Sequence, residues 1–249
     1  MEQIEEIESD YGTISIFKNR STGAVLYELG GCKQSFADSN GTSLASYIHA
    51  IFGLLLQAKA RNILLIGGAG GTLATMLERA RRKATIVDVN PVSFTLAKQY
   101  FGLPKTVVCH VADGKAFLRS DTNTYDAIVL DAFHGDRIPS HLQSSVFFRL
   151  VRDRLTPRGA VFANVHVKHD FDDYADRVAK TMKDTWIDVR LLDAEGICGR
   201  NAIVMAGRVS HLRAPYLLVP PITSAGGIDN ELARLRFRAW RVSRWDFGE

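Results

Sequence analysis

The chain has 249 residues, of which 46% are hydrophobic and 23% charged, and its formal net charge is +4. That length suits one large domain or a main domain with a small appendage, and the composition is typical of a globular protein. Because no stretch approaches the 18 or so apolar residues of a membrane span, and residues 1–10 are acidic rather than signal-like, we expect a cytoplasmic protein that does not enter a membrane.

The first predicted elements are two short strands, over residues 13–19 and 24–30. Their alternating pattern indicates a small antiparallel unit. A polar segment that contains Gln34 follows, and apolar residues at helical spacing then predict a helix over residues 42–57. Tyr47 on this helix either lines a pocket or packs as an ordinary aromatic side chain.

The glycine-rich turn after the next strand is the strongest ligand signal. Residues 62–66 form an apolar run typical of a buried parallel strand. Four glycines follow it, namely Gly67, Gly68, Gly70 and Gly71. Glycines let the backbone approach a ligand, and the helix predicted over residues 72–82 points its free N–H groups towards the turn. Asp88 ends the following strand, where a carboxylate can accept hydrogen bonds from both hydroxyls of a ribose.

Two interpretations of this turn remain open. Leu73 stands where the strict dinucleotide pattern requires a third glycine. We favour a nucleoside-containing ligand, because the strand, the helix and the acid all lie in the expected places. The alternative is an ordinary strand-to-helix turn in which Asp88 merely caps the next helix.

Strands and helices alternate through the rest of the chain. Further strands are predicted over residues 106–111, 125–130, 160–165, 188–192 and 202–206, and helices over residues 91–101, 114–119, 145–155 and 171–185. This alternation predicts an α/β fold with a doubly wound, mostly parallel, seven-stranded Rossmann-like sheet. We divide the chain into a β unit with its connecting helix (1–52), a nucleoside-binding catalytic domain (53–221) and a basic aromatic tail (222–249).

Three carboxylates follow apolar strands, and a parallel sheet brings such positions to one edge. They are Asp88, Asp113 and Asp131. The loop over residues 131–141 also holds His134, Asp136, Arg137 and His141. Neighbouring carboxylates can attract a cationic amine or remove its proton, and burial raises the pKa of such a base. We expect no metal, because the His and Asp residues lack a third ligand at a suitable spacing and the three cysteines lie far apart.

The tail is rich in arginine. Five arginines crowd it, namely Arg234, Arg236, Arg238, Arg241 and Arg244. Residues 229–245 are predicted to form a basic aromatic helix. Such a helix either binds nucleic acid or an anionic surface, or packs its aromatic side chains on its own sheet or on a second subunit. We favour packing, with a homodimer as the expected assembly, and do not expect nucleic-acid binding by the near-neutral remainder.

Several motifs together resemble the spermidine and spermine synthase family, whose members have the class I S-adenosylmethionine-dependent methyltransferase fold. The motifs are IGGAGG, IVDVNP with KQYFG, VADGKAFL, YDAIVLDAF and LTPRGA. The resemblance covers residues 11–206. It implies aminopropyl transfer, in which an amine displaces methylthioadenosine from decarboxylated S-adenosylmethionine.

The resemblance also implies roles for the donor-binding residues. Gly67, Gly68 and Gly70 would hold the aminoacyl side of the donor, and Asp88 would bind the ribose. The adenine amine would be read by Asp113 with Gly114. Gln34 would approach the ribose or the sulfur.

For the acceptor, the resemblance implies that Asp131 is the base that deprotonates the attacking amine. Asp136 is the candidate amine anchor, and Tyr47 and His134 are candidate acceptor-binding residues. The acceptor is expected to be a small amine of the putrescine type.

The chain diverges from the family around the polyamine site. Its glycine loop is one residue shorter than the family's Gly-Gly-Gly-Asp-Gly-Gly and carries Ala69 in place of an acid, and Arg137 adds a positive charge. Without that acid, ordinary S-adenosylmethionine is not repelled. Aminopropyl transfer is therefore the leading hypothesis, followed by methyl transfer, by a non-catalytic paralogue that serves as a binding or assembly module, and by an NAD-linked oxidoreductase.

Overall fold

A computed structural model describes residues 1–241 and contains two β-sheets. The first is antiparallel, with four strands in chain order. They are β1 (Glu2–Ser9), β2 (Gly12–Lys18), β3 (Val25–Leu29) and β4 (Cys32–Ala37). The middle pair matches the two predicted strands. The sequence prediction lacks β1 and β4, because β1 is a largely exposed edge strand rich in glutamate and β4 is polar, so neither shows a clear apolar alternation.

The second sheet has eight strands among the described residues, in the order β12-β10-β11-β9-β8-β5-β6-β7. They are β5 (Asn62–Ile66), β6 (Lys83–Asp88), β7 (Val108–Val111), β8 (Tyr125–Leu130), β9 (Leu155–Val167), β10 (Val189–Asp193), β11 (Arg200–Gly207) and β12 (Arg236–Arg238). The strands from β5 to β9 pair in parallel, and the other three pair antiparallel. The predicted doubly wound α/β class is confirmed, with one strand more than expected.

Helices cover both faces of the larger sheet. They are α1 (Ser46–Gln57), α2 (Thr72–Arg79), α3 (Pro91–Tyr100), α4 (Gly114–Ser120), α5 (Ser145–Asp153), α6 (Tyr174–Lys183) and α7 (Ala225–Leu232). Alternate residues of β5 enter opposite apolar clusters: Ile63 and Leu65 face one side, and Leu64 and Ile66 the other. A strand covered on both faces is apolar throughout, as the sequence indicated. No helix within residues 1–241 is long and apolar enough to cross a membrane.

The start of β9 differs from the prediction. Helix α5 ends at Asp153, and β9 already begins at Leu155, so the expected helix stop at residues 157–159 lies inside a strand. The pairing with β8 is irregular there, jumping from Tyr125 with Leu155 to Ala127 with Ala160. A proline is tolerated at such an irregularity because no ladder hydrogen bond is required of it.

The tail also differs from the prediction. The helix expected over residues 229–245 ends early, since α7 ends at Leu232 and Arg236–Arg238 instead form β12 against β10. Phe237 packs on the core while Arg238 reaches buried carboxylates, which favours an extended backbone. Residues 242–245 of that predicted helix, which include Arg244 and Trp245, lie outside the described residues. The division into units 1–52, 53–221 and 222–249 stays a prediction.

This topology fixes where a ligand site belongs. β5 lies between β6 and β8, so the chain crosses to opposite sides of β5 and leaves a crevice at the carboxyl ends of these strands. The four-stranded sheet lies beside that crevice. It is joined to α3 by a hydrogen bond of 3.0 Å between the hydroxyls of Tyr27 and Ser93.

Candidate active site

The crevice holds a cleft with two lobes. The first, which we call the β6 lobe, has a volume of about 490 Å³ and is lined by the end of β6 and the start of α4. The second, the β9 lobe, has a volume of about 340 Å³ and is lined by β9, β11 and α1. The lobes share a wall made by Gln34, Gly67, Gly68 and Asp131. A ligand in one lobe therefore meets a ligand in the other at this wall.

The glycine turn forms the floor of both lobes because its backbone approaches β8 closely. A side chain at Gly67 would place its Cβ 2.2 Å from the carbonyl oxygen of Asp131, and Gly67 has a φ of 92°. Gly68 donates its N–H to Asp88 Oδ2 at 2.8 Å. Gly70, however, lines neither lobe: it faces Ser35 and Phe101, where a Cβ would stand 2.8 and 2.9 Å from their side-chain atoms. Of the predicted site residues, Gly70 is the one that the structure does not bring to the cleft.

Two acids of the β6 lobe are held by backbone amides. Asp88 accepts from Gly68 and, at 2.9 Å, from the N–H of Asn90. Asp113 caps α4 by accepting from Ala116 at 2.9 Å, and its other oxygen lies 2.6 Å from Nε2 of His141. Burial opposes the charge of Asp113, but these hydrogen bonds outweigh burial and lower its pKa. Both acids therefore face the lobe at fixed positions.

Three further predicted residues line the β6 lobe. Gln34, from β4, reaches both lobes, and Gly114 lies beside Asp113. His134 is exposed at the rim, where its backbone pairs with that of Arg137. These residues come from three separate segments, so the lobe forms only in the folded chain.

Asp131 lies where the lobes meet and is the most perturbed acid of the cleft. Burial raises its pKa to about 6, and hydrogen bonds from Asn164 and Tyr47 offset part of that rise. Asn164 Nδ2 donates at 2.8 Å, whereas the Tyr47 hydroxyl donates over a longer 3.4 Å. Both donors are neutral. An acid with a pKa near the working range and no fixed cation is suited to take up a proton.

A chain of amides supports Asp131 from behind. Asn164 is 1% exposed, and its Oδ1 accepts from Asn201 Nδ2 at 2.9 Å. Sequence reasoning missed both residues. The available signal for Asn164 was its polar side chain near the end of the otherwise apolar strand β9. No such signal pointed to Asn201, which lies on β11, the antiparallel neighbour of β9.

Asp136 lines the β9 lobe but already has a cationic partner. Its Oδ2 lies 2.7 Å from Lys168 Nζ, and Arg137 Nε lies 4.0 Å from its Oδ1. The hydrogen bond from Lys168 lowers the pKa of Asp136. Any amine that binds Asp136 must therefore compete with Lys168. Within residues 1–241, no three His, Cys, Asp or Glu side chains are grouped so as to hold a metal ion.

Comparisons with known proteins give a consistent result. A family model described as "Spermine/spermidine synthase domain" matches residues 45–191. A "probable polyamine aminopropyl transferase" of Bifidobacterium longum is 30% identical over 169 residues, which are 66% of this chain and 38% of that protein. The chain thus spans well under half the length of that relative.

Solved structures are similar in fold. A probable spermidine synthase from Corynebacterium glutamicum aligns with a TM-score of 0.75 at 20% identity, covering 96% of this chain and 90% of that one. A spermidine synthase in complex with the transition-state analogue AdoDATO aligns with a TM-score of 0.62 at 22% identity, covering 83% of this chain and 72% of that one. At these identities the likeness concerns the fold alone.

Proposed function

The chain belongs to the spermine/spermidine synthase family, and from this premise we propose that it transfers an aminopropyl group from decarboxylated S-adenosylmethionine to an amine. The observation that carries the proposal is Asp131, a carboxylate with a raised pKa at the junction of two lobes. The donor would occupy the β6 lobe and the acceptor the β9 lobe.

The β6 lobe offers the groups that an adenosyl donor requires. Asp88 uses one lone pair on each oxygen for backbone amides, and a carboxylate has about four acceptor sites, so two remain for the ribose hydroxyls. Asp113 and Gly114 would read the adenine amine. Gly67 and Gly68 allow the chain bearing the sulfonium to pass close to the backbone towards Asp131.

The reaction at the junction is a displacement at carbon. The amine nitrogen forms a bond to the aminopropyl methylene carbon attached to the sulfonium, and the bond between that carbon and sulfur breaks with its electron pair remaining on sulfur. Methylthioadenosine leaves. An ammonium has no lone pair, so the proton on nitrogen must first be removed, and we assign its acceptance to Asp131. Above pH 6 this carboxylate is ionised and attracts the cation that it deprotonates.

Replacing the proposed base tests the mechanism. Asp131→Asn keeps an oxygen that accepts from Asn164 but removes the base, so methylthioadenosine release should fall about 100-fold or more. Binding of methylthioadenosine, measured by calorimetry, should change little because Asp88, Asp113 and Gly114, rather than Asp131, are the residues proposed to hold its adenosine. A fall of less than fivefold would refute the role of Asp131.

Methyl transfer from ordinary S-adenosylmethionine is the second candidate, and the absence of an acid at Ala69 in the glycine loop favours it. Thermal-shift measurements with methylthioadenosine and S-adenosylhomocysteine at equal concentration separate the two. A ligand at 100 times its dissociation constant adds about 2.7 kcal/mol, enough to raise the Tm by several degrees. Aminopropyl transfer predicts the larger shift with methylthioadenosine, and methyl transfer the reverse. A binding or assembly module predicts a shift with neither.

The cleft is built within one described chain, but a homodimer remains our expectation for the assembly. Light scattering of the full chain and of a variant ending at residue 228 would test whether the tail holds two subunits together. An unchanged mass would exclude the tail from the interface.

A further inference from the structure

The β9 lobe carries little free negative charge for the far end of an acceptor. Two carboxylates, Asp131 and Asp136, line it among the described residues. Under the proposed function, Asp131 serves the reacting nitrogen. Asp136 already pairs with Lys168 at 2.7 Å. A second ammonium on the acceptor would therefore have to share with Lys168, or displace it from, a carboxylate whose charge is already balanced.

The remaining polar wall of this lobe is neutral or positive. Asn164 and Asn201 present side-chain amides, His166 adds an imidazole, and Lys33 stands at the rim. Amides both donate and accept, so they suit a hydroxyl or an amide, which does the same. An ammonium only donates, and taking its charge out of water without an opposite charge is costly.

We propose that the β9 lobe selects a primary amine whose far end is neutral and polar, such as an amino alcohol, over a diamine. This inference rests on the proposed function, because it assigns the acceptor to the β9 lobe. The bonds made and broken are those given above. The product is then a secondary amine that carries an aminopropyl group at one end and the neutral group at the other.

Three four-carbon amines test the selection: 4-amino-1-butanol, 1,4-diaminobutane and butylamine. Each is supplied with decarboxylated S-adenosylmethionine, and methylthioadenosine release is measured. We expect kcat/KM for the amino alcohol to exceed that for the diamine by about tenfold or more, since an unpaired charge is rejected more strongly than a mismatched methylene. Butylamine should rank below the amino alcohol, because its far end makes no hydrogen bond to the polar wall of the lobe.

A variant of Lys168 tests the cause of the selection. Lys168→Gln frees Asp136 to pair with a second ammonium, so the ratio of the diamine to the amino-alcohol kcat/KM should rise about fivefold, as expected for an exposed ion pair. Lys168 is on the surface, so the variant should fold normally. Lys105→Gln is the matched control: it also removes an exposed lysine, but one that precedes the edge strand β7 and lines neither lobe, and the ratio should not change.

The possible outcomes separate this inference from the proposed function. Methylthioadenosine release that is fastest with the diamine refutes the neutral-acceptor inference and leaves aminopropyl transfer standing. Release with none of the three amines, together with no thermal shift by methylthioadenosine, refutes both. A ratio that Lys168→Gln leaves unchanged refutes the explanation based on the occupied Asp136.

Discussion

Two carboxylates in this fold, one buried and one lining the cleft, have opposite electrostatic settings. Asp193 lies between two guanidinium groups, with Arg200 Nε at 2.6 Å and Arg238 Nε at 2.9 Å. Burial would raise its pKa, but the hydrogen bonds from these arginines lower it. Asp131 accepts from the neutral groups of Asn164 and Tyr47, and its pKa rises to about 6. The partner, rather than burial itself, decides whether a carboxylate stabilises the fold or remains available to a cationic substrate.

The Asp193 cluster ties the tail to the main sheet. Arg238 bridges Asp193 and Asp176, which lie on β10 and α6 and are almost wholly buried. Arg200 lies on the partner strand β11. The cluster is therefore a structural feature, whereas the cleft keeps its central acid free of arginine.

The largest expected effect on stability comes from removing Asp193, the carboxylate that is paired with two arginines. Asp193→Ala leaves Arg200 and Arg238 buried without their shared carboxylate, so the free energy of unfolding should fall by about 3–5 kcal/mol in urea titrations. The control is Asp173→Ala, which removes an exposed pair with Arg177 and should cost less than about 0.5 kcal/mol. Equal losses in the two variants would contradict the structural role of the cluster.

Replacing Asp131, which has no cationic partner, should change stability in the opposite direction. The folded pKa of Asp131, about 6, exceeds the ordinary 3.8, so its ionisation weakens the fold as pH rises from about 4 to 6. Asp131→Asn removes this penalty and should stabilise the protein at pH 7.5 by up to about 3 kcal/mol more than at pH 4. Urea unfolding at both pH values measures the difference. A stability difference between variant and wild type that does not change with pH would contradict the raised pKa.

The raised pKa of Asp131 also predicts the acid limb of the pH profile, that is, the fall in activity at low pH. Below a pH of about 6 the base is protonated, so kcat/KM for the amine should fall about tenfold for each further unit of pH. The rate of methylthioadenosine release at constant ionic strength between pH 5 and 8 provides the measurement. A rate that stays constant down to pH 5 would mean that the pKa of Asp131 is not raised.

Tyr47 should have the smallest effect. Its hydroxyl lies 3.4 Å from Asp131 Oδ2 and helps to lower the pKa of that acid. Tyr47→Phe should therefore move the acid limb slightly upwards and reduce kcat/KM about threefold, as for one weak hydrogen bond. A loss above 30-fold would show that Tyr47 does more than donate to Asp131.

The sequence predicted the acids of the cleft because their positions follow from local pattern. Asp88 ends a parallel strand, and Asp113 and Asp131 follow just after one, so the fold class alone brings them to one edge. The glycine turn was equally predictable from the sequence. The orientation of Gly70 was not, because it depends on packing against Phe101, which no local pattern reveals.

Residues that act through distant pairing were not predictable in this way. Asn201 reaches Asn164 because β11 pairs antiparallel with β9. β12 exists because Arg238 finds carboxylates on two other elements, whereas its three residues alone resemble part of a basic helix. Both features depend on long-range partners, which single-sequence periodicity does not contain.

The late position of Arg238 has a consequence for synthesis. Asp193 precedes Arg238 by 45 residues, and Asp176 precedes it by 62. A ribosome adding about 5–20 residues per second therefore exposes these carboxylates for roughly 2–12 s before Arg238 emerges, although Arg200 follows Asp193 by only seven residues. During that interval the nascent chain can already form β5 to β9, while the edge of the sheet at β10 still lacks β12. Most of the sheet can therefore form before its last strand is synthesised.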